Sequence, residues 1–170
     1  MRFIETVIDI AFNFLAILVI VQLATLFHEL GHALAGLIFT KEDVNILLGR
    51  RKSRRKLRKL ELGRLVINFN GFDPLTGFSW LDESRLTKFQ RLIFYAGGPL
   101  VSLMTGITFY LISRNLDHQV MSRIAQLFSS WLLVQFLFTA IPLEYPAWFA
   151  GYGGQCSDGQ IIARLIRSDK

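Results

Sequence analysis

Three long apolar stretches alternate with shorter mixed segments along the chain. Residues 8–39, 89–112 and 120–143 each reach or exceed the roughly 20 residues that a helix needs to cross a hydrocarbon core at about 1.5 Å per residue. Between residues 10 and 27 no side chain is charged. The first stretch is too long for one perpendicular span, which predicts a helix that tilts, bends or runs beyond the bilayer. Asn13, Gln22 and Thr25 mark a face of it turned towards protein. The period then changes. D-V-N-I-L-L-G at 43–49 and L-E-L-G-R-L-V-I-N-F at 60–69 carry aliphatic and β-branched residues bounded by glycine, and Asn70-Gly71 and Asp73-Pro74 are turn dipeptides. These predict a short membrane-associated β-hairpin or small sheet within 43–81. After the third apolar stretch come a loop rich in glycine and aromatic residues, 144–157, and a short apolar tail, 158–166, predicted as a C-terminal helix too short to span. With no repeat and no low-complexity linker, 1–170 reads as a single domain. The expected fold class is an α-helical integral membrane protein with three main transmembrane helices.

Composition strengthens this picture. Of the 170 residues, 52% are hydrophobic, above the about 45–50% of soluble domains, and the surplus calls for lipid. The formal net charge of +6 is placed unevenly: eight of the ten residues from Arg50 to Lys59 are Lys or Arg. By the positive-inside rule this run belongs in the cytoplasm, which puts the N-terminus outside and the C-terminal end of the first span on the cytoplasmic face. Residues 41–88 hold twelve basic side chains and 114–119 hold one, in keeping with that orientation. The run itself reads as the solvated tip of a hairpin between the two strands, with anionic lipid as an accessory contact. It has no interleaved aromatics, and no nucleic-acid partner is expected. A lone cysteine, Cys156, excludes an internal disulfide and a thiolate zinc cluster. A cleavable signal peptide is disfavoured, since secretory cores run about 7–15 apolar residues and Glu5 and Asp9 stand where a positive flank belongs.

Within the first span lies His28-Glu29-Leu30-Gly31-His32. Histidines four residues apart on a helix share a face, so both rings can reach one ion about 2.0–2.1 Å away. In H-E-x-x-H metalloproteases the glutamate is not a ligand but takes a proton from zinc-activated water. In an apolar helix each such ionisable side chain costs roughly 2.5–3.5 kcal/mol unless paired or liganded. That cost points to a function for them. A tetrahedral catalytic zinc needs a third protein ligand. His118 falls in the loop on the opposite face. Asp158 lies on the same face as His28 and His32 and opens the predicted C-terminal helix, where it reads either as the ligand or as a helix N-cap. Glu144 is the weaker competitor.

Together these residues resemble the site-2 protease (M50) family of intramembrane metalloproteases. The resemblance runs through H-E-L-G-H-A-L-A-G at 28–36, the strand segment after it, A-G-G-P-L at 96–100 and S-D-G at 157–159. It implies zinc held by His28, His32 and Asp158, Glu29 as the general base, and a β-hairpin that receives a membrane protein or peptide substrate as an added strand. Relatives often carry asparagines where this chain has Ser102 and Thr139, positions that would hold substrate or a developing oxyanion. The loop between Pro142 and Asp158 is expanded relative to many of them. The function expected is zinc-dependent intramembrane endopeptidase; the alternative is a catalytically weakened zinc-binding regulatory protein of the same fold. The oligomeric state is left open.

Overall fold

The structure is a computed structural model that describes residues 2–49, 58–149 and 151–168. Four α-helices, a small sheet and a 3-10 turn follow one another as α1 (Arg2–Phe39), β1 (Val44–Gly49), β2 (Arg58–Leu62), β3 (Leu65–Asn70), β4 (Gly77–Trp80), the turn Glu83–Arg85, α2 (Lys88–Arg114), α3 (Gln119–Ala140) and α4 (Asp158–Arg167). Three helices are long and apolar enough to cross a membrane: Ile10–Phe39, Lys88–Arg114 and Gln119–Ala140. Large apolar side chains such as Phe12, Phe14, Met104 and Leu137 stand exposed on them, which is compatible with lipid around the bundle. At 38 residues, α1 is about 57 Å long, nearly twice a hydrocarbon core of about 30 Å. The third helix stops at Ala140, three residues short of the expected 143, because Ile141 precedes Pro142 and takes an extended ψ of 129°.

Close approach of α1 and α2 organises the bundle. A Cβ added at Gly31 would run into the Gly97 carbonyl, and one added at Gly97 would run into Gly31. The two backbones therefore touch where only glycine fits. Beside this crossing, Ile20 and Ala24 of α1 pack on Phe128 and Leu132 of α3, with the Phe27 and Phe128 rings edge-on at 5.6 Å.

The strand region takes the small-sheet form of the expectation and not the hairpin. It is a four-stranded sheet in the order β2-β3-β1-β4, in which β1 pairs parallel with β3 and antiparallel with β4. The expected second strand, 60–69, is itself folded in two. Leu62 pairs with Leu65 across a two-residue loop whose first residue, Gly63, has φ +62°, the left-handed conformation such loops demand. Parallel pairing of β1 with β3 rules out a simple hairpin between 43–49 and 60–69. Most of the basic run, residues 50–57, lies outside the described residues, and its last two members open β2. The central strand β1 is almost wholly buried, and its Val44, Ile46 and Leu48 join Ala33, Leu81 and Phe94 in the core beneath the sheet.

The C-terminal end of α1 has no basic residue in its last turn. Distant side chains supply the missing donors. Arg64, in the β2–β3 loop, donates to Leu37 O (2.6 Å), Thr40 O (3.0 Å) and Glu42 O (3.2 Å), and Gln90 Nε2 donates to Phe39 O (2.7 Å). The sheet and α2 are thus tied to the helix end that lies just beyond His32.

Candidate metal centre

Three side chains from two distant parts of the chain converge in the wall of one cavity. His28 Nε2 and His32 Nε2 lie 3.2 Å apart, and Asp158 Oδ2 lies 3.3 Å from the first and 3.5 Å from the second. A tetrahedral ligand set with bonds of about 2.0–2.1 Å has ligand atoms about 3.3 Å apart, so this triangle has the size a zinc ion requires. His32 Nδ1 faces Phe94 O at 2.8 Å; a carbonyl only accepts, so Nδ1 carries a proton and Nε2 is the nitrogen that a metal would take. His28 Nδ1 is 2.9 Å from Ser102 Oγ, a hydroxyl able to accept and so to leave Nε2 for a metal as well. Two ring nitrogens and a carboxylate oxygen converging this closely could hold one metal ion. Among the described residues these three form the metal-capable group.

Local sequence explains how each arrives. His28 and His32 stack one turn apart on α1, while Gly98 leaves room for the His32 ring, into which a Cβ there would run. Asp158 is brought from the other end of the chain by the S-D-G segment. Ser157, not Asp158, is the N-cap of α4, which corrects the capping alternative. The buried Ser157 hydroxyl accepts from Gln160 N and Leu143 N and donates to Ile141 O (2.7 Å), fastening the start of α4 to the exit of α3. Gly159 abuts the Ala140 carbonyl, where a Cβ would collide. Asp158 is therefore the first helical residue, free to point at the histidines. Burial alone would push its carboxyl up, but His32 and His28 beside it hold it below the ordinary carboxylate range.

Glu29 lies outside the ligand triangle but lines the same cavity of about 840 Å³. It is 4% exposed, and its Oε2 accepts a 2.7 Å bond from Ser79 Oγ of β4. A Cβ added at Gly77 would come within 2.8 Å of Glu29 Cγ and Oε1, so β4 passes hard against the carboxylate. Trp131, Val134 and Phe138 of α3 and Tyr145, Phe149 and Tyr152 of the loop add apolar and aromatic wall, interrupted by Gln135, Thr139 and Gln155.

No family, curated protein or solved structure matches the chain. The site therefore rests on its own geometry.

The rejected candidates lie elsewhere. His118 caps the start of α3 in the α2–α3 connection and is exposed. Glu144 bridges to Cys156 and faces Arg164 at 3.8 Å. Ser102, expected near substrate, is fully buried behind His28. Thr139 lines the cavity, its hydroxyl bonded to Gln135 O at 3.0 Å. Sequence reasoning missed Ser79, Gly77 and Tyr152. Each acts through a tertiary contact that no local motif marks, although the glycine beginning G-F-S-W hinted at a close backbone approach.

Proposed function

We propose that the chain is a zinc-dependent endopeptidase of the site-2 protease kind, cleaving membrane-spanning or membrane-associated polypeptides. The observation that carries the reading is the meeting of His28, His32 and Asp158 in one cavity wall, with Glu29 beside them but outside the ligand set. His28, His32 and Asp158 are the residues that would hold the ion. Held there, a zinc ion would supply Lewis acidity and an activated water near neutral pH. Glu29, oriented by Ser79, takes a proton and passes it to the leaving amine. The Ser102 and Phe94 contacts hold both rings so that Nε2 faces the cavity. A substrate helix must give up its own hydrogen bonds before a peptide bond in it can be attacked. An edge strand beside the site offers replacement partners, and β4 is an edge strand that touches Glu29. The charge asymmetry favours a multi-pass cell-membrane protein with its site towards the cytoplasm.

Purified Glu29→Gln protein should keep its zinc and lose at least about 10²-fold in cleavage, the usual effect of removing a general base. Undiminished cleavage by that variant sinks the assignment. Zinc without hydrolysis in the unaltered chain favours the regulatory alternative.

A further inference from the structure

Tyr152 sits where a docking peptide would have to go. In the antiparallel β1–β4 pair, Gly49 N donates to Thr76 O, and Leu48 pairs with Gly77 and Ile46 with Ser79. Alternation of hydrogen-bonded and non-bonded pairs then turns the backbone N–H and C=O of Gly77 and Ser79 away from β1, towards the outer edge. With β4 only four residues long, these are the two residues whose backbone groups an added strand would meet. One is occupied. The Tyr152 hydroxyl accepts from Gly77 N at 2.9 Å and donates to Gly77 O at 3.0 Å, making with one side chain both bonds that a partner strand makes with its backbone.

The loop that carries Tyr152 is built to hold it there. Tyr145 N donates to Gln155 O and Gly154 N to Tyr145 O, closing the base of the loop immediately before Ser157 and Asp158. The Tyr145 and Phe149 rings stack at 5.4 Å, and the Tyr152 ring packs 5.1 Å from Phe78 of β4. Tyr145, Phe149 and Tyr152 all line the cavity that holds Glu29 and the metal-capable triangle.

We propose that the Tyr152 hydroxyl is a latch on the outer edge of β4, keeping the aromatic loop against the site until an extended peptide displaces it. One pairing residue, Ser79, is too few to set the register of an incoming strand. Docking by strand addition therefore needs Gly77 released. The inference rests on the proposed peptidase reading in one respect, that an extended polypeptide is what docks.

Tyr152→Phe removes the hydroxyl and leaves the ring contacts. The probe is fluorescein-labelled β-casein, an unfolded chain, added to zinc-loaded Glu29→Gln protein in detergent so that binding is separated from turnover. Fluorescence anisotropy should show Tyr152→Phe binding casein roughly three- to tenfold more tightly, the scale of a lost competing hydrogen bond. In the absence of casein, the Gly77 amide should exchange its hydrogen faster in the variant. Equal zinc content verifies that the loop still delivers Asp158. Binding that is unchanged, weaker or absent in Tyr152→Phe, or unchanged exchange at Gly77, overturns the latch. Tighter binding by Tyr152→Phe in a chain whose Glu29 form does not cut casein leaves the latch standing and counts against the peptidase reading.

Discussion

At the scale of single residues, the histidines are positioned through the ring nitrogens that face away from the cavity. Ser102 is the only side-chain contact made by His28 Nδ1 among the described residues, whereas His32 relies on a backbone carbonyl. Ser102→Ala should therefore loosen the His28 ring and lower zinc affinity by about 10–100-fold, read by competition with a chromophoric chelator. Asp158→Asn should lower it further, since it replaces an anionic ligand and not a supporting contact. If Asp158→Asn binds zinc as tightly as the parent, the third ligand is wrong. The placing of His28 and His32 on one helix face was legible from spacing alone. The part played by Ser102 was not, because position 102 becomes a neighbour of 28 only when α1 and α2 cross.

At the scale of elements, the glycine crossing of α1 and α2 and the capping of α1 are separable. Gly97→Ala would push a methyl group into the Gly31 backbone, where overpacking costs about 1–3 kcal/mol. Because the same contact brings His32 to Phe94, zinc affinity should fall together with the thermal midpoint. Arg64→Ala removes three bonds to carbonyls at and just beyond the end of α1; its side chain is exposed, which limits the loss to about 1 kcal/mol. Thermal unfolding in detergent should show that loss with zinc affinity preserved, since the caps lie beyond the turn that carries His28 and His32. The three helices and the short tail helix were readable from hydropathy, within about three residues at every end but the start of α1, which lies six residues before the expected 8. Strand pairing was not. A basic segment between two apolar strands looks like a hairpin tip, but β3, not β2, lies beside β1, paired in parallel.

At the scale of the molecule, the prediction concerns sidedness. If the positive-inside rule governs this chain, trypsin added to inverted membrane vesicles cuts within residues 50–59, and trypsin added to intact cells does not. Cutting from the outside would invert the proposed topology and move the metal-capable site to the other face. The long exposed apolar surfaces of α1, α2 and α3 predict that the chain stays with the membrane fraction after an alkaline wash.

The sequence by itself determined the apolar helices, the charge asymmetry and the H-E-x-x-H pair, because each is a local property: run length, charge count, or a spacing of four on one helix. Only the tertiary structure decided that Asp158 meets His28 and His32, that Ser157 rather than Asp158 caps α4, and that Tyr152 occupies the edge of β4. Asp158 lies 126 residues beyond His32 in the chain, and Tyr152 75 beyond Gly77. Contacts across such separations depend on how helices cross and strands pair, so no window of sequence contains them.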